Sequence, residues 1–335
     1  MNISLKGRSL TKLLDYERDE MDYLLQLTSR LKADKKKGKE KRMLDRKNIA
    51  LLFEKTSTRT RCAFEVASYD QGAGVTYINA SDSQFGKKES VKDTARVLGR
   101  MYDGIEFRGY SQETVEILAE YSGVPVWNGL TDVYHPTQIM ADFFTMLEHN
   151  HKDLDEMSLV FLGDASNNVA SSLIVGSAIM GIDFRIAAPK ECQPDWDLLE
   201  KCQELGSYSG CKLNISEDLD VVSKADYLYT DVWLSMGEPE SKWNDRIQML
   251  QQYQINDKLL KLNDNQDVKI MHCLPAFHNR ETVVGEKIFQ KFGLKSMEIT
   301  DEVFESASSI VFDQAENRMH SIKAIMVATL AGKYG

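Results

Sequence analysis

The chain has 335 residues, 42% of them hydrophobic and 27% charged, and its 41 basic and 51 acidic side chains leave a net charge of −10. That length suits about two globular domains, and the acidic balance disfavours nucleic acid as a general partner. No apolar run approaches the ~18–20 residues of a membrane span, and Met1-Asn2-Ile3-Ser4-Leu5-Lys6 lacks the apolar centre of a secretion signal, so a cytoplasmic protein is the expectation.

In chain order, the basic run from Lys35 to Arg42 reads as a solvated loop. The apolar run Ile49-Ala50-Leu51-Leu52-Phe53 predicts a buried parallel strand over 48–53. A helical pattern follows over 58–70, so Ser57-Thr58-Arg59-Thr60-Arg61 falls where a strand turns into a helix. Unpaired N–H groups and the positive dipole end make such a place an anion site. Hydroxyls and an arginine there suit a phosphate, although the same residues would also serve as an N-cap with two surface arginines.

Further strands are expected at 75–79, 104–108 and 124–127, with helices at 90–102, 112–121 and 136–148. The polar stretch from Ser81 to Glu89, which holds Gln84, reads as a mobile loop. Arg108 closes its strand. His135 and Gln138 flank Pro136, a residue suited to a first helical turn, so both side chains fall on one side of a helix start. His149-x-His151 has no third ligand nearby and reads as a surface loop.

Strands at 158–162, 184–187, 212–215, 227–230 and 268–272, and a final helix from 315 to about 330, complete an alternation that argues for α/β architecture. Polar residues place the domain break near 148–156. Asp231 and Cys273 each follow a strand, where ligands bind in open α/β sheets. Gly163-Asp164-Ala165-Ser166-Asn167 lacks the glycines of a dinucleotide fingerprint and no GxxxxGK[ST] loop occurs, which weighs against a nucleotide-dependent oxidoreductase. The five cysteines, Cys62, Cys192, Cys202, Cys211 and Cys273, are odd in number and form no CxxC pair. This fits a reducing compartment and argues against a disulfide frame or structural zinc.

These motifs together resemble the aspartate/ornithine carbamoyltransferase family. Ser57-Thr58-Arg59-Thr60-Arg61 resembles its carbamoyl-phosphate motif. Phe107-Arg108-Gly109-Tyr110, His135-Pro136-Thr137-Gln138, Asp231-Val232-Trp233-Leu234-Ser235-Met236-Gly237, His272-Cys273-Leu274-Pro275 and Glu316-Asn317-Arg318-Met319-His320 follow in order over nearly the whole chain. The Ser-Met-Gly and His-Cys-Leu-Pro pieces are similar to the ornithine branch.

The resemblance implies two doubly wound parallel-sheet domains: residues 1–150 for carbamoyl phosphate, 151–315 for ornithine, and 316–335 as a C-terminal helix packing back on the first domain. It implies transfer of the carbamoyl group to the side-chain amine of L-ornithine, giving L-citrulline and phosphate, or the reverse. A related amine such as putrescine is the alternative.

Ser57, Thr58, Arg59, Thr60 and Arg108 would hold the phosphate. His135, Pro136, Thr137 and Gln138 would grip the carbamoyl group, and Arg318 would complete the shell from the second domain. Gln84 would enter a neighbouring subunit's site, which requires an oligomer, a trimer or assembly of trimers. Asp231 would hold the α-ammonium of ornithine and Asn168 its α-carboxylate, with Ser235 and Met236 closing over it. Cys273 would take the proton of the reacting amine rather than act as a covalent nucleophile, since carbamoyl phosphate is already activated, and Leu274 would offer its carbonyl to the carbamoyl amide. His272, His278 and His320 would be structural. Arginines and a helix terminus supply the positive charge, so no metal or cofactor is expected.

Overall fold

The computed structural model describes residues 3–234 and 239–332. The chain separates into two compact units, Met1–His149 with Ala315–Gly335, and Asn150–Gln314.

In the first unit, α1 (Arg18–Lys36) opens on a reciprocal Glu17–Glu20 capping box and ends on Lys35 and Lys36, whose charges suit the negative end of the dipole. The expected loop from Lys35 is therefore helical at its start. Then come β1 (Asn48–Phe53), α2 (Arg59–Asp70), β2 (Gly74–Asn79), α3 (Val91–Met101), β3 (Gly104–Arg108), α4 (Gln112–Ser122), β4 (Val126–Leu130) and α5 (Pro136–His149). The sheet runs β2-β1-β3-β4 and every pairing is parallel. Successive strands thus step to opposite sides of β1, and the strand order reverses between β1 and β3. At such a switch point the carboxyl ends of the strands leave a crevice for a ligand.

β4 begins two residues later than its apolar residues suggest. The Leu10 N–H donates to the Val126 carbonyl at 2.8 Å and the Asn128 N–H to the Leu10 carbonyl at 2.8 Å, so the N-terminal segment dictates which residues extend. A register shift between Phe107 and Arg108 then accommodates Gly129.

The second unit contains β5 (Ser158–Leu162), α6 (Asn168–Met180), β6 (Asp183–Ala187), α7 (Trp196–Ser209), β7 (Lys212–Ser216), β8 (Tyr227–Thr230), α8 (Trp243–Leu250), α9 (Asp257–Asn263), β9 (Lys269–His272), α10 (Val283–Phe292) and α11 (Asp301–Phe304). Its sheet, β7-β6-β5-β8-β9, is again wholly parallel and reverses between β5 and β8. There the Thr230 hydroxyl donates to the Leu162 carbonyl at 2.9 Å.

The last helix, α12 (Val311–Leu330), starts four residues before its expected point and joins the first unit from Ala315 onward. In that unit Trp127 Nε1 donates to Thr329 Oγ1 at 3.1 Å. Lys323, fully buried, reaches Glu40 at 2.5 Å and Asp70 at 2.7 Å. The returning helix is thus fixed by both apolar packing and a partly buried ion network. Among the described residues no helix is long and apolar enough to cross a membrane.

Candidate active site

At the switch point of the first unit, β1 ends at Phe53 and β3 at Arg108. The head of α2 lies directly after the β1 turn. Thr58, the N-cap, makes no side-chain cap, while Ser57 Oγ accepts from the Thr60 N–H at 3.2 Å. A helix N-terminus of this kind favours an anion through its N–H groups and the positive end of its dipole. Thr60 is buried, and its hydroxyl accepts from Arg108 Nη1 at 3.2 Å and from Arg318 Nη2 at 2.8 Å. Two buried guanidiniums thus converge on one hydroxyl beside a helix N-terminus, a donor array matched to a phosphate.

Arg318 comes from the part of α12 that belongs to the first unit, not from the second domain as expected. It is eight residues into the helix, which places it inside the unit's core.

His135 is buried before Pro136 opens α5. Burial first, then the charges of Arg318, Arg108 and Arg59, hold its pKa well below the usual histidine value. The ring is neutral at pH 7 and can donate one N–H without adding a charge. Its Nδ1 lies 3.5 Å from Thr137 Oγ1. The Gln138 amide nitrogen donates to Asp142 at 2.7 Å, and its buried Oε1 has no hydrogen-bond partner among the described residues. Such an orphaned acceptor fits an amide N–H₂ on a ligand. Gln84 is exposed, in a loop pinned by buried Phe85, whose ring centroid is 6.1 Å from that of Phe107.

In the second unit, Asp231 follows β8 at the sheet's own switch point. It accepts from the Cys273 thiol at 3.1 Å and from Asn167 Nδ2 at 3.2 Å. Burial is the largest influence on its carboxyl and raises its pKa, against the opposing pull of His272, the thiol and the Val232 N–H.

Cys273 follows β9, and the turn beyond it is braced from below. The Leu274 N–H donates to His272 Nδ1 at 2.9 Å, so the other ring nitrogen, Nε2, carries the proton toward Glu298 Oε1 at 3.3 Å. Glu298 also accepts from the Phe277 N–H at 2.6 Å. Leu274 is held at φ 56°, a backbone region that leucine rarely adopts. The ligand atoms of Asp231, His272 and Cys273 lie within 4.8 Å of one another, yet hydrogen bonds already engage the thiol and both imidazole nitrogens.

Asn168 opens α6. Its neighbour Asn167 is the N-cap, accepting from the Val169 and Ala170 N–H groups and donating to Asp231. Capping preference was the available signal for Asn167. The structure also brings in residues that the sequence reading passed over, Glu106, Asp142 and Glu298, and an Asp164–Arg246 ion pair whose guanidinium Nε donates to the Trp233 carbonyl at 3.1 Å. Ser235 and Met236 lie outside the described residues. All five cysteines are free. Burial pushes the thiols of Cys192 and Cys211 up to about 11 and that of Cys202 to about 12, so these three stay protonated.

One parallel-sheet unit ending in guanidiniums gathered on a hydroxyl, and another ending in an acid–thiol pair, define an α/β protein equipped for an anionic and a cationic ligand. Residues 8–148 match the carbamoyl-P binding domain of aspartate/ornithine carbamoyltransferase, and residues 155–329 match its Asp/Orn binding domain. The chain belongs to the aspartate/ornithine carbamoyltransferase family.

It is similar to the ornithine carbamoyltransferase of Pyrococcus furiosus, with 38% identity and a TM-score of 0.90 over 99% of this chain and 100% of that one. It is also similar to the enzyme from Gloeobacter violaceus, with 34% identity and a TM-score of 0.81 over 98% and 100%. The anabolic ornithine carbamoyltransferase of Campylobacter jejuni matches at 33% identity and a TM-score of 0.83 over 95% and 97%.

Proposed function

We propose that the chain is an ornithine carbamoyltransferase, joining the carbamoyl group of carbamoyl phosphate to the side-chain amine of L-ornithine and releasing phosphate and L-citrulline. The observation that carries this reading is the convergence of Arg108 and Arg318 on Thr60 at the head of α2, together with structural relatives named for ornithine.

Ser57, Thr58, Arg59, Thr60, Arg108 and Arg318 hold the phosphate and take up the negative charge that grows on it as the leaving group departs. Neutral His135 donates to the carbamoyl oxygen, and Gln138 Oε1 and the Leu274 carbonyl accept from its amide. Pro136 and Thr137 set the helix start that aims these groups. The attacking amine must be neutral, although a free amine of this kind has a pKa near ~10. Asp231 and Asn168 hold the α-ammonium and α-carboxylate of ornithine, and the Cys273–Asp231 pair accepts the proton that the reacting amine sheds. Attack on the carbonyl carbon then forms the C–N bond, and the C–O bond to phosphate breaks.

Ser235 and Met236 select ornithine, and Gln84 completes the site of a neighbouring subunit in a homotrimer or larger assembly. The reaction needs no metal or cofactor. It serves arginine synthesis in the cytoplasm, or arginine breakdown when reversed.

The test is ureido product formation from carbamoyl phosphate with ornithine, putrescine, N-acetylornithine and aspartate in parallel. Preference for ornithine supports the reading. Preference for another amine overturns the ornithine assignment and leaves the carbamoyl-phosphate half, and no product with any amine from folded protein sinks the enzyme.

A further inference from the structure

Glu106 lies on β3 two residues before Arg108, so both side chains leave the same face of the strand. It is completely buried, and neither carboxylate oxygen has a hydrogen-bond partner among the described residues. Space has been cleared for it. A Cβ on Gly129, in the adjacent strand, would stand 2.0 Å from Glu106 Oε1 and 3.1 Å from Thr60 Cγ2. The carboxyl is thus lodged beside the threonine whose hydroxyl gathers the two guanidiniums.

The charges acting on it are Arg108 of its own strand and Arg318 of α12. Arg59, on α2, acts on His135 together with these two. His135, just before α5, is held neutral, and α5 brings Asp142, which accepts from Gln138. The adjoining strands β1 and β4 carry no titratable side chain. Burial drives the Glu106 carboxyl well above the ordinary range while both guanidiniums pull it down.

We propose that Glu106 is an internal counter-ion of the anion cradle: as a neutral acid it leaves Arg108 and Arg318 to an incoming phosphate group, and as a carboxylate it competes with that group for them. This rests on reading the first unit as a carbamoyl-phosphate site. Ligand binding and proton binding are then linked. Where the free protein holds Glu106 as a carboxylate, binding of the phosphate group transfers one proton from solvent to a Glu106 oxygen, and the complex holds the acid. Affinity falls with rising pH, by up to about tenfold per unit, between the point where the free protein loses this proton and the point where the complex does. Glu106 touches no reacting atom, so it is a positioning residue.

Calorimetric titration of the full chain with carbamoyl phosphate, from about pH 6 to about pH 10 in buffers of differing ionisation enthalpy, reads affinity and proton uptake together. Wild type is expected to take up as much as one proton per site and to weaken as pH rises. Glu106→Gln, the neutral isostere, is expected to bind with a flatter profile and to lose that uptake. Infrared difference spectra of wild type with inorganic phosphate, which has no carbonyl of its own, should gain a carboxylic-acid carbonyl band in the pH range where affinity falls. This readout needs no variant to fold. Equal profiles and equal uptake in the two proteins, or no such band, would overturn the inference. Failure of folded wild type to bind carbamoyl phosphate at any pH would instead sink the underlying site reading.

Discussion

Replacing Thr60 by valine keeps the branched shape of the side chain and deletes the hydroxyl on which two guanidiniums converge. The bonds lost are Arg108 Nη1 at 3.2 Å and Arg318 Nη2 at 2.8 Å, and all three residues are buried. A hydrogen bond to a charged group contributes about 1.5–3 kcal/mol, and a buried donor left unfilled also carries its desolvation penalty. Part of this is recovered when the guanidiniums turn toward other acceptors, so the loss expected is about 2–4 kcal/mol. For domains of this size that lowers Tm by roughly 5–15 °C.

The kinetic effect should fall on one substrate. With the fork of donors no longer held, KM for carbamoyl phosphate should rise about 10–100-fold, equivalent to about 1.4–2.8 kcal/mol. KM for the amine should stay within about twofold, because Asp231 and Cys273 belong to the other unit. Thr60→Ser retains the acceptor and should restore most of both properties. Thermal melting and initial rates with each substrate varied in turn give the answer. Wild-type melting together with wild-type carbamoyl-phosphate KM in Thr60→Val would refute the organising role of the hydroxyl.

Three further outcomes follow from the same structure. Asp231→Asn should lower kcat/KM for ornithine by about two orders of magnitude or more while inorganic phosphate binding, measured by calorimetry, stays unchanged, since a neutral amide neither pairs with the α-ammonium nor helps Cys273 accept the proton of the reacting side-chain amine. Lys323→Met removes a fully buried cation from Glu40 and Asp70, and a drop of about 2–4 kcal/mol in denaturant stability is expected, at the lower end for a broken buried pair because the carboxylates are partly exposed. His135 stays neutral in the folded chain but protonates below pH ~6.5 when unfolded, so the unfolded state binds more protons and stability is lost as pH falls. Measured against His135→Gln, wild type should lose up to about 1.4 kcal/mol per pH unit below that point, and parallel stability–pH curves would contradict it.

Strands were the most legible part of the chain, because apolar runs such as Ile49 to Phe53 and Leu159 to Leu162 are buried throughout and bounded by polar turns. Helices were read less evenly. α6 is buried on nearly every side, so it offers no polar stripe by which a helical period could be seen. α1 does carry the signal, with Met21, Leu24, Leu25, Thr28 and Leu31 on one buried face, but it was passed over, and only its last residues, Lys35 and Lys36, fell within the run read as a loop.

Within the site, the Ser57–Thr60 segment and Arg108 follow from their place after strands. The partners that make them a unit come from far along the chain, and Thr60 meets Arg318 across 258 positions. Glu106 was invisible for a different reason. A glutamate in a strand reads as a solvent-facing residue, and only its burial and the bare Gly129 beside it show that it points into the interior. Glu298 likewise acquires meaning only once His272 and the Phe277 N–H are seen to share it.

The most direct measurement of the central claim follows the carbon. Carbamoyl phosphate labelled with ¹³C in its carbonyl is incubated with ornithine and the wild-type chain, and the reaction is followed by carbon and phosphorus NMR. The proposed chemistry predicts that the label moves to the ureido carbon of citrulline, one equivalent of phosphate appearing per citrulline and the α-amine remaining unmodified. Label found only in carbonate or cyanate, or on the α-amine, would contradict it.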